Sequence, residues 1–307
     1  MPPHVFGIDG EALWHVAFER DGDRFALVDH ARVELAEDTF HDGPLGGPVR
    51  NLGALGDALS GLLADLRAPI DSASLVLPDA WMRVSFAEVG ELPSDPSGRE
   101  EALRWKLKRL VPYRVDELRL RDVAVAPLPD QDDPGRVLLG FALETLLRQL
   151  EELFLEHKVR IGQISNASLS LLSALEFAAG DAELVGYCLV DEDGYAMVFV
   201  RRGEPVLHRF KGLAGVKSAS AYEHLVSRDL RLTRLFLDQH LGAGSLERVL
   251  LVAPVEAEAW WLQALETGLG VEPLAVTWQL LPLAGELPAM PWERIAPMFG
   301  AASRRVA

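Results

Sequence analysis

The sequence is poor in cysteine. Its 307 residues include one, Cys188, which lies inside an apolar segment. A single cysteine cannot form a disulfide within its own chain, and this scarcity is typical of proteins from a reducing compartment. We therefore interpret Cys188 as a small buried residue rather than as a reactive thiol.

Positive charge is also in short supply. The chain carries 30 Lys and Arg residues against 46 Asp and Glu residues, which gives a formal net charge of −16. Because attachment to phosphates needs a basic face, this balance argues against a nucleic-acid-binding protein. Residues 99–114 are the exception, since basic side chains outnumber acidic ones there. This segment is either the solvated face of a helix or a docking surface for an acidic partner or lipid headgroups.

Membrane-span and metal-site signatures are missing as well. The uncharged stretch at residues 273–285 is short for a membrane span and contains two prolines, so we expect no transmembrane helix. The N-terminus has neither the basic nor the apolar region of a signal peptide, so we expect no export.

The eight histidines show no metal-ligand spacing, and no P-loop or G-x-S-x-G motif occurs. The acidic turns at 130–133 and 191–193 either bind a cation or reflect turn preference alone.

What the sequence does contain is a repeated arrangement of three short apolar segments. The first unit consists of residues 5–8, 13–18 and 25–28, separated by Asp9-Gly10 and Asp21-Gly22. The second consists of residues 187–190, 196–200 and a run after Gly203-Glu204-Pro205, with Asp191-Glu192-Asp193-Gly194 at its first turn. Each unit predicts three strands joined by tight turns, and helical sequence follows both. The repetition predicts a duplicated α/β fold of two domains with a cleft between them.

The remaining elements follow from hydrophobic periodicity. It predicts helices at residues 51–67, 99–110, 143–157, 167–179, 219–240, 255–268 and 291–304. It predicts further strands at residues 74–78, 82–89, 118–125, 136–142, 160–164, 248–252 and 271–276. The strand–helix–strand–strand–helix order of residues 82–157 predicts an α+β unit inserted into the first domain. We thus assign residues 1–81 and 158–182 to the first domain and residues 183–307 to the second.

Five stretches of the sequence resemble one protein family. They are LVLPDAWMRVSFAEVGELP at 75–93, EALRWKLKRLVPYRVDELRLRDVAV at 101–125, HLVSRDLRLTRLFLDQH at 224–240, RVLLVAP at 248–254 and IAPMFGAASR at 295–304. Together they resemble PilM, the cytoplasmic component of type IV pilus assembly, which belongs to the actin-like ATPase superfamily. The resemblance extends over nearly the whole chain. It implies an actin-like, ribonuclease H-like fold duplicated over two domains.

The resemblance also implies a nucleotide site, and there the residues depart from the family pattern. The family's first phosphate loop is Asp-x-Gly-Ser-Ser, whereas here Asp9 is followed by Gly10 and then by larger side chains. The second loop keeps Asp191 but has Asp193 in place of a glycine, and the late Gly-Gly pair is Ala253-Pro254. Added carboxylates repel a triphosphate unless a metal offsets them. We therefore predict no catalytic residues, no metal site and neither ATP nor Mg²⁺ as a cofactor.

The partner that the resemblance implies is a PilN-like bitopic inner-membrane protein. Its N-terminal tail would lie in a groove between the first domain and the inserted unit, where a sheet edge and apolar pockets hold an extended peptide. We predict that this groove is lined by Trp81, Arg83, Trp105, Arg109, Pro112 and Tyr113. The two arginines would engage carboxylates or phosphates. The alternative is that the tryptophans are core residues and the arginines only aid solubility.

Two other functions stay open at this point. The chain could be an active actin-like ATPase in which Asp9 and Asp191 hold Mg²⁺, or a type II secretion subunit similar to the cytoplasmic region of GspL. In the adaptor interpretation, the protein lies at the cytoplasmic face of the inner membrane and attaches through its partner. Secretion or pilus motor ATPases are further possible partners.

Overall fold

The computed structural model describes residues 4–41, 45, 47–111, 114–130, 135–213, 215–216, 218–285 and 290–303. The strands, numbered along the chain, are β1 (His4–Ile8), β2 (Ala12–Asp21), β3 (Arg24–Glu34), β4 (Ser72–Leu77), β5 (Arg83–Glu88), β6 (Leu118–Val125), β7 (Arg136–Leu143), β8 (Arg160–Asn166), β9 (Leu184–Val190), β10 (Gly194–Arg201), β11 (Glu204–Gly212), β12 (Arg248–Val252), β13 (Pro273–Ala275) and β14 (Leu283–Ala284). The helices are α1 (Leu52–Ala64), α2 (Pro96–Leu107), α3 (Glu144–Glu156), α4 (Ala167–Ala179), α5 (Ala219–Leu241), α6 (Val255–Leu269) and α7 (Trp292–Ser303).

The first sheet has six strands in the order β14-β3-β2-β1-β4-β8. Strands β1, β2 and β3 form an antiparallel meander, and β4 and β8 continue the sheet in parallel with β1. Gly22 lies in the turn between β2 and β3 with φ of +60°, a conformation that glycine adopts without steric cost. The predicted hairpin at Asp21-Gly22 is therefore present.

The second sheet repeats this plan in the order β11-β10-β9-β12-β13. Strands β9, β10 and β11 are an antiparallel meander, and β12 and β13 are parallel to β9. Every residue of β9 is buried, which is expected of a strand covered on both faces. The duplication predicted from the two three-strand units is confirmed.

A third, smaller sheet has the order β5-β7-β6 and is antiparallel throughout. Helix α2 covers it, and Leu103 and Leu107 of that helix share a core with Leu120, Leu139 and Phe141 of the sheet. Two basic side chains of α2 form ion pairs: Arg99 pairs with Asp122 of β6, and Arg104 pairs with Glu100 of the same helix.

Helix α3 differs in position from the sequence prediction, which grouped it with the inserted unit. Its buried face joins the core of the first sheet, where Leu146, Leu150 and Phe154 meet Leu59 of α1 and Phe6 of β1. The rings of Phe6 and Phe154 are 4.9 Å apart in an edge-to-face arrangement. The apolar face of α3 thus belongs to the core of the first sheet and α1, although the helix also contacts β7 of the small sheet.

The end of the chain returns to the first sheet, whereas the sequence prediction placed residues 183–307 in the second domain. Strand β14 pairs with β3, and α7 packs between α4 and the first sheet. Helix α7 is continuous although Pro297 lies inside it. Burial of side chains such as Ile295, Met298 and Phe299 outweighs the hydrogen bond that the proline removes.

Helices α4 and α7 also connect the two halves. One core cluster contains Val16 and Phe18 of the first sheet, Leu189 and Leu250 of the second, and Phe299 of α7. In the described part of the chain, no helix is both long enough and apolar enough to cross a membrane.

Candidate functional site

The two acidic turns that the sequence singled out face one cleft between the halves. Asp9 follows β1 and Asp191 follows β9, so each turn lies at the end of the first strand of its sheet. Both residues line the same small cavity, together with Trp14 and Arg294. The duplicated fold therefore brings Asp9 and Asp191 together, as predicted, while Gly10 is exposed at the tip of its turn.

Asp9 is buried, with 7% of its surface exposed, and it holds its own turn. Its Oδ1 atom accepts the backbone N–H groups of Glu11 and Ala12 at 2.8 and 2.7 Å. Its Oδ2 atom accepts a longer hydrogen bond from the indole N–H of Trp14 at 3.3 Å. These are the donors that a phosphate loop presents to its ligand, and here a side chain of the protein already uses them.

Asp191 does the same in the second turn. Its Oδ1 atom accepts the backbone N–H groups of Asp193 and Gly194 at 3.0 and 2.9 Å. Burial raises the pKa of Asp191 to about 7, with Asp79 and Asp193 acting in the same direction and Arg294 against it. Asp193, which stands in the glycine position of the family, thus adds negative charge beside a carboxyl group that is already hard to ionise.

Arg294 of α7 supplies the positive charge in this cleft. Its Nη2 atom lies 3.4 Å from Asp9 Oδ2 and 3.7 Å from Glu192 Oε1. Burial alone would lower the pKa of Arg294, but the carboxylates of Asp9, Asp191, Glu192 and Glu293 outweigh it and raise that pKa. Sequence reasoning missed this residue, because a lone arginine in a terminal helix carries no signal of a contact with residue 9.

The arrangement does not fit the nucleoside triphosphate that the sequence resemblance implies. The cavity that Asp9, Asp191 and Arg294 share has a volume of about 30 Å³, whereas ligand pockets hold about 300–1,000 Å³. A neighbouring opening of about 240 Å³ has four carboxylates in its wall, those of Asp9, Glu11, Glu192 and Glu293, against the two arginines Arg32 and Arg294. This excess of negative charge disfavours phosphates. The guanidinium of Arg294 lies where a bound cation would compensate the two aspartates.

A second polar cluster, buried in the interior, joins the halves near this cleft. Asp79, after β4, accepts hydrogen bonds from the Asn166 side chain at 2.6 Å and from the Ser168 hydroxyl and backbone N–H at 2.5 and 2.9 Å. His208 Nε2 of β11 lies 3.0 Å from the Ser168 hydroxyl. Because the serine donates to the aspartate rather than to the histidine, it is not set up as a nucleophile. The cluster ties β4, α4 and β11 together.

The structure divides the residues predicted to bind a peptide. Trp81 is buried and packs on Phe40, with ring centroids 4.6 Å apart, so the core alternative is right for this residue. The Arg83 guanidinium lies 3.9 Å from the Phe210 ring centroid, between the small sheet and the second sheet. Trp105 is 57% exposed, and the Arg109 guanidinium is 5.4 Å from its ring. Pro112 and Tyr113 lie outside the described residues.

A groove lies between the first sheet and the small sheet, but the residues that line it differ from those predicted. It has a volume of about 180 Å³, and its wall includes Met82, Arg119, Arg121, Phe141 and Ile164. Strand β8 is the last strand of the first sheet and β6 the last of the small sheet within the described residues. Two strand edges therefore lie next to this groove.

Sequence reasoning missed the two arginines of this groove. They alternate with Leu118 and Leu120 along β6, and alternate residues of a strand share one face. The leucines face the core, so the arginines had to face outward. Arg119 is held by Glu144 and Glu151, each at 2.7 Å, while Arg121 has no ion pair with another described residue.

No family model matches this chain, and a comparison with curated proteins finds no match. Solved structures do match. A PilM–PilN type IV pilus biogenesis complex gives a TM-score of 0.72 at 17% identity, covering 98% of this chain and 96% of that one. A Bacteroides thetaiotaomicron protein of unknown function with an actin-like ATPase fold gives 0.51 at 11% identity, covering 89% and 90%. The fold is actin-like.

A third structure supports the same conclusion. The cytoplasmic domain of EpsL, an inner-membrane component of the Vibrio cholerae type II secretion system, gives a TM-score of 0.51 at 10% identity and covers 99% of this chain and 96% of that one. The fold predicted from the resemblance to PilM is confirmed. At these identities the likeness concerns the fold.

Proposed function

We propose that this chain is a PilM-like adaptor that works by binding, without nucleotide hydrolysis, in an inner-membrane assembly platform of the type IV pilus. The observation that carries the proposal is the position of Arg294 between Asp9 and Glu192, in a chain whose fold matches a PilM–PilN complex over 98% of its length. In an actin-like ATPase the equivalent space holds phosphates. Here the protein's own cation fills it, and the fold serves to present surfaces.

Calorimetric titration with Mg-ATP tests the first half of the proposal. We expect no binding at nucleotide concentrations up to about 1 mM, because Arg294 occupies the cleft. A dissociation constant above about 1 mM corresponds to a binding free energy of less than about 4 kcal/mol. The matched variant is Arg294→Ala, which removes the internal cation and leaves both aspartates in place. Micromolar binding by the unmodified protein would establish the ATPase alternative instead, with Asp9 and Asp191 around a metal.

The partner in this proposal is the N-terminal tail of a PilN-like bitopic membrane protein, bound along the groove between the first sheet and the small sheet. An extended tail would pair with a free strand edge, and its alternate side chains would enter apolar pockets. Met82, Phe141 and Ile164 offer those pockets, and Arg121 offers a donor for a carboxylate of the tail. The protein would then sit at the cytoplasmic face of the inner membrane through its partner.

Fluorescence anisotropy with labelled N-terminal peptides of candidate membrane partners tests the second half. Replacing Ile164 by glutamate puts a charge into the apolar wall, so we expect binding to weaken about tenfold or more. The control is Arg202→Glu, an exposed position on the second sheet that pairs with Glu183. Equal binding by both variants would move the peptide site away from this groove.

The EpsL match favours a second candidate, a subunit of a type II secretion platform. The same anisotropy assay separates the two when pilus-type and secretion-type tails are compared side by side. Preference for a PilN-like tail supports the pilus assignment, and preference for a secretion-system tail replaces it. Motor ATPases of either system are further proposed partners, to be tested by the same titration.

A further inference from the structure

A cavity of about 750 Å³ lies between the small sheet and the second half of the molecule. It is separate from the acidic cleft and from the groove proposed for the partner tail. Its walls come from β5, β7 and α2 on one side and from β11 and α5 on the other. This volume is within the range of ligand sites for small organic molecules.

The cavity is basic although the protein is strongly acidic. Lys106 of α2, Arg109 just after α2 and Arg136 of β7 all line it, against a formal net charge of −16 for the whole chain. Positive groups gathered in a concave, low-dielectric wall concentrate their field there. An anion would be attracted to this part of the surface and repelled from most of the rest.

Arg136 is buried, whereas Lys106 and Arg109 are not. It is 6% exposed, its Nη2 donates to the Val206 carbonyl at 2.6 Å, and its guanidinium lies 4.2 Å from the Phe86 ring centroid. Its Nη1 atom has no hydrogen-bond partner within the described residues, and neither has Nδ1 of His208. A buried donor without a partner is costly. Glu88, which lies opposite Arg136 across β5 and β7, already supplies a negative charge to this arginine.

The remaining wall is apolar. Phe86, Leu110, Leu128, Leu207 and Phe236 contribute to it, and Leu110 is 53% exposed. A ligand that matches both parts of the wall has an anionic group and an apolar body. His240 is already paired with Asp130 at 2.7 Å, and Glu88, which lines the cavity, lies opposite Arg136 across β5 and β7. The anionic group therefore belongs on the side of Lys106 and Arg109.

We propose that this cavity is a binding site for an amphipathic organic anion, whose carboxylate, sulfonate or phosphate group lies near Lys106 and Arg109 and whose apolar body lies against Phe86 and Phe236. The proposal does not depend on the adaptor function. It uses a different cavity, and either proposal can fail while the other stands.

Two dyes that differ in charge test it. The anionic probe is 8-anilinonaphthalene-1-sulfonate, and the neutral analogue is N-phenyl-1-naphthylamine. For the full chain at low ionic strength we expect one saturable site that binds the anionic dye about tenfold more tightly than the neutral one. Equal affinity for the two dyes, or preference for the neutral one, overturns the proposal.

The substituted residues lie at the end of α2 and just after it, and none of them is buried. The double variant Lys106→Gln and Arg109→Gln is expected to weaken binding of the anionic dye about tenfold and to leave the neutral dye unchanged. The matched control is Lys108→Gln, since Lys108 lies between them in sequence but does not line the cavity. Circular dichroism confirms the fold of each variant. Dye binding that is indifferent to Lys106 and Arg109, or equally sensitive to Lys108, contradicts the assignment.

Discussion

The guanidinium of Arg294 lies 3.4 Å from the carboxylate of Asp9, although the two residues are almost the whole chain apart. The contact joins the last helix to the first turn. The arginine compensates negative charge from both acidic turns.

Replacing Arg294 by methionine is predicted to destabilise the protein strongly. The substitution keeps most of the side-chain volume but leaves Asp9 buried without its cation, and breaking a buried pair in this way costs about 3–5 kcal/mol. Urea unfolding followed by circular dichroism measures the loss.

The control for that experiment is Arg234→Met. Arg234 pairs with Asp238 at 3.6 Å on α5 and is 52% exposed, so its removal is expected to cost less than about 1 kcal/mol. A similar loss in both variants would mean that Arg294 contributes no more than a surface ion pair.

The variant Asp191→Asn is predicted to be more stable than the unmodified protein at pH 8. Burial raises the pKa of Asp191 to about 7, so the folded state binds a proton that the unfolded state releases, and its contribution to stability falls as the pH rises from about 4 to about 7. Asparagine keeps the acceptor for the two backbone N–H groups without this charge. We expect a gain of about 2 kcal/mol at pH 8 that disappears near pH 4, measured by urea unfolding at each pH.

His15 is predicted to have the opposite dependence. Burial lowers the pKa of His15 to about 4, and the neighbouring His4 acts in the same direction. The unfolded chain therefore takes up the proton first, so stability from this site is present at neutral pH and is lost as the pH falls from about 6.5 to about 4. Between pH 8 and pH 5, the free energy of unfolding of His15→Leu should rise by about 1–2 kcal/mol relative to that of the unmodified protein. A difference that does not change with pH would contradict this.

Gly300→Ala is predicted to disrupt the packing of α7 against α4. An added Cβ would lie 1.9 Å from the Ser170 carbonyl oxygen, so the helices would have to separate, at a cost of about 1–3 kcal/mol or more. Gly61→Ala in α1 is the matched control, because nothing lies within 4 Å of its Cβ position. That control should gain about 0.5–1 kcal/mol from better helix propensity. Thermal unfolding of both variants decides whether close approach at Gly300 matters.

Local patterns in the sequence were sufficient for most of the fold. Turn signals such as Asp21-Gly22 and Asp193-Gly194 fixed the hairpins, since glycine adopts the backbone conformations that these turns need. The predicted helices, including α3, correspond to helices in the structure. What the patterns left out was packing, because an amphipathic face shows that a helix is buried but not which sheet buries it.

The candidate site was less predictable for the same reason. Asp9 and Asp191 were found because each follows a strand of a repeated unit. Arg294 was not, because its role depends on a contact that no local pattern encodes. Trp81 is core and Trp105 is 57% exposed, although both were predicted to line one groove; Trp105 lies off the buried stripe of Leu103 and Leu107 on α2.

The return of β14 and α7 to the first sheet has a consequence for synthesis. Domains usually fold in order as they leave the ribosome. Here β14 and α7 complete the sheet that β1 to β3 begin, so one strand edge and part of the core of the first half stay uncovered until residues 283–303 have been synthesised.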